Sequence, residues 1–255
     1  MRLFFKTALA VMVIWLLLKP CLLQAQSKAV TIETAGGHTV ITMLEGHVFL
    51  VKEDLTRIRS LARGDYLKQN DRVQTEKKSR IELKLPDESY IRFDEMTIFV
   101  LKSASFDQAQ KQRDIDVTMI LGKLWAKVAK FLHKEDRFAV SAHTAVAGVR
   151  GTTYRMNVAP DNSAMVKVYD GEVEVRGRKP ETAAAQPPRL GEPSVIQGPR
   201  PIPGPHPVTM EEWTYIVGAM QQINIQPDGT PSEPFRFSAE ADLDDWVRWN
   251  LDRDR

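Results

Sequence analysis

Apolar and polar residues alternate one by one through the middle of this 255-residue chain, and this period of two is what most constrains its fold. The runs at residues 81–85, 91–93, 115–121 and 154–158 all show it. Alternation turns one row of side chains into a core and the other row into water, as a half-buried β-strand requires. The pattern therefore predicts a mainly β domain over residues 37–178.

Turn residues separate these runs. Asp170-Gly171, between two valine-rich runs, is typical of a hairpin or a tight turn. Many short strands at a spacing of about 8 to 12 residues fit a sandwich, a barrel or a coiled β-solenoid. Periodicity alone leaves these three open, and no exact sequence repeat marks a solenoid.

Two stretches of the predicted β domain resemble the FecR domain family. Residues 61–93, LARGDYLKQNDRVQTEKKSRIELKLPDESYIRF, share its Gly-Asp turn, a short strand ending in Thr, and two alternating strands joined by an Asp-containing turn. Residues 146–158, VAGVRGTTYRMNV, and 165–175, MVKVYDGEVEV, resemble its closing half. The positions that carry the resemblance are expected to be structural; they are Gly64, Asp65, Thr75, Gly122, Arg150, Gly151, Thr152, Asp170 and Gly171.

The resemblance implies stacked strands in a β-roll or solenoid-like arrangement, placed outside the cytoplasmic membrane. The best-known members of the family are iron-transport regulators with a cytoplasmic anti-sigma segment. Only six or seven residues precede the apolar run of this chain, so the anti-sigma function is not carried over. The usual Asp-Gly-Ser turn is here Asp87-Glu88-Ser89, and the missing glycine argues against a positive φ at Glu88, or implies strain there.

The N-terminal residues have the layout of a secretory signal peptide over residues 1–25. Arg2 and Lys6 are followed by the apolar run Ala8–Leu18 and a small residue, Ala25, at a plausible cleavage point. An uncleaved anchor and a lipoprotein built on Cys21 are the alternatives; the apolar stretch is short for a membrane span. We expect a periplasmic or secreted protein without cysteine, which excludes disulfides and thiolate metal sites.

A proline-rich linker is predicted over residues 179–208, followed by a helical segment over residues 209–255. Thr209–Glu212 has the spacing of a capping box, and a second helix is predicted over Ala239–Leu251 with Ser238 as its N-cap. The face of the first helix is formed by Met210, Trp213, Ile216, Val217 and Met220, and that of the second by Leu243, Trp246, Val247 and Leu251. Two short helices cannot bury such faces alone, so Trp213 and Trp246 are possible docking residues, on the β domain or on another protein.

No pattern in the chain predicts chemistry. The five histidines have no paired spacing, no glycine-flanked serine or catalytic thiol is present, and we expect no catalytic residue, cofactor or metal. The formal net charge of +2 is spread along the chain, which argues against a nucleic-acid partner. The sequence favours a non-catalytic extracytoplasmic binding or scaffold protein of the bacterial cell envelope, whose partner is an unknown envelope protein or glycan. The alternative is an accessory of an envelope signalling system. Contact with the membrane is expected only through an uncleaved signal segment.

Overall fold

The alternating runs form strands in the structure, a computed structural model that describes residues 38–130, 136–178 and 213–255. The strands of these residues are β1 Thr39–Glu45, β2 Val48–Val51, β3 Arg57–Ser60, β4 Tyr66–Leu67, β5 Arg72–Thr75, β6 Arg80–Lys84, β7 Tyr90–Phe93, β8 Ile98–Asp107, β9 Gln112–Lys127, β10 Arg137–Ser141, β11 Ala145–Val149, β12 Thr153–Val158, β13 Ala164–Asp170, β14 Glu172–Gly177, β15 Thr214–Gly218, β16 Gln221–Ile225 and β17 Phe235–Arg236. A helix, α1, spans Asp245–Asp254. The predicted signal peptide and linker lie outside the described residues.

The strands form two sheets, and one long strand, β9, belongs to both of them. Its second half pairs with β7 and β12 in the first sheet, whose order is β4-β1-β6-β7-β9-β12-β13-β16-β17. Its first half pairs with β8 and β10 in the second sheet, whose order is β3-β2-β5-β8-β9-β10-β11-β14-β15. All these pairings are antiparallel except β9 with β10. The strand changes sheets at Gly122, where φ is +101°.

The two sheets enclose one apolar core. Inward-facing residues of both sheets form a single cluster of buried side chains, in which Phe93 of β7 stacks on Phe99 of β8 with 3.6 Å between ring centroids. The chain crosses repeatedly from one sheet to the other, in some places after a hairpin within one sheet such as β6–β7 or β12–β13. The strands therefore lie in two stacked layers. The prediction of a mainly β fold with stacked strands is confirmed, and the sheets are open rather than closed into a barrel.

Asp170-Gly171 forms a tight turn but not a hairpin. The strands on either side of it, β13 and β14, belong to different sheets and pair with other strands. Gly171 has φ +84°, and a Cβ at this position would lie 2.8 Å from the hydroxyl of Thr152. The turn is therefore a corner that carries the chain across the core.

The prediction of a first helix within residues 209–255 is wrong for the part of it that the structure describes. Residues 214–218 and 221–225 form β15 and β16, which extend the second and the first sheet, respectively. Tyr215, Ile216 and Val217 favour strands, and the open edges of β14 and β13 supply hydrogen-bond partners that an isolated helix lacks. Residues 214–218 and 221–225 are thus part of the two sheets. The proposed capping box lies outside the described residues.

The second predicted helix exists but begins later. Its N-cap is Asp244, whose side chain accepts a hydrogen bond from the backbone nitrogen of Val247 at 2.8 Å, and not Ser238. Ser238 instead accepts a bond from the backbone of Ala241 in a preceding turn. Leu243, expected on the buried face, lies before the helix and is 41% exposed.

Glu88 keeps the backbone conformation of the glycine it replaces, with φ +68°. Of the two alternatives that the sequence left, the structure shows the strained one. An L-residue in this region costs about 1 kcal/mol or more relative to glycine. The turn is held by Asp87, whose carboxylate accepts bonds from the backbone and hydroxyl of Ser89 at 3.1 and 2.7 Å.

Candidate interaction surface

The outer side of the first sheet carries a row of charged and aromatic residues. Glu82 is in register with Arg92, Arg92 with Trp125, Trp125 with Arg155, and Arg155 with Lys167, on five neighbouring strands. Together with two residues of the same side, this row forms what we call the covered face, which consists of Arg80, Glu82, Arg92, Trp125, Arg155, Lys167 and Tyr169.

Alternation assigns this row to water, and that interpretation is wrong here. Arg92 is 3% exposed, Glu82 and Arg155 are each 5% exposed, and Trp125 is fully buried. Residues 237–255, which we call the C-terminal segment, lie over the row and exclude water from it. Charged side chains are almost never buried unless they are paired, so each must have a partner in the segment or the sheet.

At one end of the covered face the partner is Asp242. Its carboxylate accepts hydrogen bonds from Arg155, from Lys167 Nζ at 2.5 Å and from the hydroxyl of Tyr169 at 2.6 Å. Burial raises the pKa of Tyr169, and the bond to Asp242 raises it further, so the phenol stays a neutral donor. The ring of Tyr169 lies 4.5 Å from that of Trp125.

In the middle of the covered face, on β7 and β9, the partner is Asp254, near the end of α1. Its carboxylate accepts bonds from Arg92 Nη1 at 2.7 Å and from Trp125 Nε1 at 3.0 Å. Its backbone carbonyl accepts a bond from Lys127 Nζ at 2.6 Å. The segment is thus held near its start and at its end by carboxylates that bind Arg155 of β12 and Arg92 of β7, the two strands that flank β9.

Between Asp242 and Asp254, α1 places an apolar patch on the sheet. Trp246 and Val247 are buried and pack with Trp125 in a cluster separate from the main core. Trp249 stacks beside Trp246, with 5.4 Å between ring centroids, and Arg80 lies over both rings. Arg80 also forms an ion pair with Asp245 at 2.6 Å.

Glu82 is the buried acid of the covered face. Its carboxylate accepts bonds from Arg92 Nε at 2.6 Å, from Thr42 Oγ1 at 2.7 Å and from two nitrogens of Arg253 at 3.1 and 3.2 Å. Burial by itself would raise the pKa of Glu82, but the bonds from Arg253, Arg92 and Thr42 outweigh it and hold the pKa at about 2.

This depressed pKa predicts an acid-sensitive stability. The ionised Glu82 stabilises the folded state fully above its ordinary pKa of 4.5, and this contribution is lost as the pH falls from 4.5 towards 2. Between about pH 6 and pH 3 the natural chain should lose about 2 kcal/mol more free energy of unfolding than Glu82→Gln. Urea unfolding of both chains at the two pH values measures this. Equal losses would show that Glu82 titrates normally.

Of the two predicted docking residues, only Trp246 lies at this surface. Trp213 lies elsewhere: it is half-buried against the main core, and its Nε1 donates to the carbonyl of Gly229 at 3.0 Å. The structure thus separates the two tryptophans that the sequence grouped as docking residues. A signal for the covered face was available in Trp125, an aromatic residue in a row that alternation assigns to water.

The residues that carry the family resemblance build turns and corners. Thr75 donates its hydroxyl to the carbonyl of Asp94 at 2.7 Å and accepts from the backbone of Thr97 at 2.8 Å. Thr152 donates in the same way to the carbonyl of Glu172 at 2.8 Å, and Gly151 has a positive φ. These bonds hold the corners at which the chain leaves one sheet for the other.

The remaining motif residues have similar surroundings. Asp65, after Gly64, accepts bonds from the backbone of Ala62 at 3.1 Å and from Arg59 at 2.5 Å. Arg150 is exposed, and its carbonyl accepts the hydroxyl of Thr152 at 3.2 Å. Gly122 and Asp170-Gly171 are the sheet crossing and the corner described above. Their arrangement is that of a scaffold.

Within residues 38–130, 136–178 and 213–255, no group of three or more His, Cys, Asp and Glu side chains is arranged to hold a metal ion. No helix in the same ranges is long and apolar enough to cross a membrane. The expectations that the protein has no cofactor and no catalytic residue stay predictions.

One family model matches part of the chain. Residues 71–174 match the family model described as FecR protein, which confirms the resemblance for the region from β5 to β14. Two crystal structures of a candidate anti-sigma factor from Parabacteroides distasonis ATCC 8503, at 1.65 and 2.50 Å resolution, are similar, each with a TM-score of 0.44 and with 16% and 15% identity. The similarity covers 66% of this chain and 61% of theirs, so the chain spans less than two thirds of their length. No curated protein matches the chain.

Proposed function

We propose that this chain, which carries a FecR domain over residues 71–174, is a non-catalytic binding or scaffold protein of the bacterial cell envelope. The domain supplies a rigid two-sheet body. The single observation that carries the proposal is the covered face, where a sheet binds a helix through buried carboxylate–arginine contacts and a tryptophan patch. Such a face is suited to binding a polypeptide.

An extracytoplasmic location is supported by the sequence of the first 25 residues. Arg2 and Lys6 precede the apolar run Ala8–Leu18, and Ala25 offers a cleavage point. After cleavage the chain has no cysteine, so its folding does not depend on the oxidising conditions of the envelope.

Export can be tested with a variant that interrupts the apolar run. The natural chain should be recovered from the envelope fraction with Gln26 as its first residue. Leu16→Arg/Leu17→Arg should reduce export by about tenfold or more, because two charges in the run oppose insertion. Cell fractionation with an antibody against the chain measures this, and Leu16→Ile/Leu17→Ile, which keeps the run apolar, is the matched control.

Two results would contradict this prediction. Equal amounts of the arginine variant and the natural chain in the envelope would show that export does not depend on the apolar run Ala8–Leu18. Recovery of the natural chain from membranes with Met1 intact would show that the protein is anchored and not cleaved.

The second candidate function is an accessory of an envelope signalling system, which the FecR domain itself favours. Deletion of the gene distinguishes the two. An accessory role predicts that the deletion changes the levels of transcripts that depend on one alternative sigma factor. The export-deficient variant should not restore these transcript levels. A scaffold role predicts that these transcripts stay unchanged while an envelope partner loses its binding site.

A further inference from the structure

The C-terminal segment and the covered face have opposite charges. Residues 237–255 contain six acidic residues and three arginines, whereas the covered face contains four cationic side chains and a single acid, Glu82. The contacts are specific as well as complementary, since Asp242 and Asp254 each accept bonds from two or more side chains of the face. The face therefore recognises an acidic helix with tryptophan on its apolar side.

The core of the β domain does not include this segment. The buried residues of the two sheets form one cluster, and Trp246 and Val247 belong to another, to which the sheets contribute Trp125 and the partly buried Tyr169. Removing the segment would expose the covered face and its small patch but would leave the main core closed.

The segment also satisfies the face incompletely. Arg155 Nε on the face is buried and has no hydrogen-bond partner within the described part of the chain, and neither has Trp246 Nε1 on the segment itself. A buried donor without an acceptor costs about 1 to 3 kcal/mol. A different helix that placed an acceptor at Arg155 Nε would satisfy the face more completely than the chain's own segment does.

We propose that the covered face is the binding site for an acidic, tryptophan-bearing helix of a partner protein, and that the C-terminal segment occupies this site as an intramolecular competitor. This rests on the proposed binding function and specifies its surface and the chemistry of its partner. The partner's apparent affinity is reduced by the fraction of molecules in which the segment covers the face. Weakening the segment should therefore strengthen partner binding.

The test uses the full chain and a synthetic peptide of residues 237–255, labelled with fluorescein, as the probe helix. The tail variant Asp242→Asn/Trp246→Ala removes the carboxylate that binds Arg155 and Lys167 and the larger part of the apolar patch. It should bind the peptide at least about tenfold more tightly than the natural chain, as measured by fluorescence anisotropy. Leu243→Ala, which changes an exposed residue of the segment, is the matched control and should bind like the natural chain.

A change in the face should have the opposite effect. Adding Arg155→Gln to the tail variant should abolish peptide binding, and a scrambled peptide of the same composition should not bind. Far-UV circular dichroism verifies that each variant keeps its strands. If the tail variant does not fold, Asp245→Asn, which removes one exposed ion pair with Arg80, replaces it with a smaller expected gain.

Three outcomes would overturn the proposal. Failure of the folded tail variant to bind the peptide would show that the segment is only structural, and binding that survives Arg155→Gln would place the peptide elsewhere. A dimer of the natural chain in light scattering, lost in the tail variant, would make a second copy the occupant. All of these are measured in solution, so they are independent of the export test of the proposed function.

Discussion

Gly122→Ala should lower the free energy of unfolding by about 3 to 5 kcal/mol, because two costs add at this position. A Cβ on residue 122 would lie 2.2 Å from Thr97 Oγ1 and 2.6 Å from Thr97 Cα, and φ is +101°. Thr97 cannot move freely, since its backbone nitrogen donates to Thr75 and its hydroxyl accepts from the backbone of Lys123 at 3.1 Å. The substitution therefore disturbs the point at which β9 changes sheets.

Gly64→Ala is the matched control. Gly64 has a similar φ of +90°, but no atom lies within 4 Å of its ideal Cβ, so only the backbone cost of about 1 to 2 kcal/mol remains. Urea unfolding of both variants separates crowding from backbone strain. Losses of equal size would mean that the contact with Thr97 has no energetic weight.

The second large effect is expected at Arg113, which connects the two sheets near the Asp87 turn. The guanidinium of Arg113 binds the carboxylate of Asp87, and its Nη2 donates to the carbonyl of Ala129 at 2.9 Å. The side chains of Arg113 and Asp87 are 4% and 2% exposed. Arg113 also faces the buried carboxylate of Asp136, with 4.0 Å between Nε and Oδ2. Removing the cation leaves these buried carboxylates without compensation, so Arg113→Met should cost about 3 to 5 kcal/mol.

An exposed arginine of the same region provides the control. Arg137 pairs with Asp114 and Asp116, but its side chain is 57% exposed, and Arg137→Met should cost less than about 1 kcal/mol. Combining Arg113→Met with Asp87→Asn should recover part of the loss, because the buried charge disappears with its partner. If the double variant is as unstable as the sum of the single ones, the two residues do not form an energetic pair.

The Arg113–Asp87 pair also explains how the chain tolerates Glu88. Asp87 is held by Arg113 and Ser89, and these bonds stabilise the turn in which Glu88 has a positive φ. The strain at Glu88 is offset by a buried ion pair. Local sequence patterns do not predict this pair, because Arg113 and Asp87 are 26 residues apart in sequence.

Local patterns determined much of the β domain. Alternation identifies the apolar residues of β6, β7, β9 and β12 that face the core, because the period of a strand is a property of its own backbone. Turn residues such as Asp170-Gly171 locate the corners for the same reason, since a positive φ is a local requirement. The order and spacing of these features were sufficient to indicate the FecR resemblance.

Tertiary structure decided the rest. Residues 214–218 are a strand because β14 offers them an open edge, and a segment with helical spacing takes the conformation whose partner is available. Glu82, Arg92 and Arg155 are buried because the C-terminal segment lies over them, although their own strands assign them to water. The backbone of a strand determines which side of the sheet each side chain faces. Whether that side is buried depends on the segments that pack on the sheet after it has formed. For Arg92 and Arg155 that contact spans 162 and 87 residues of sequence.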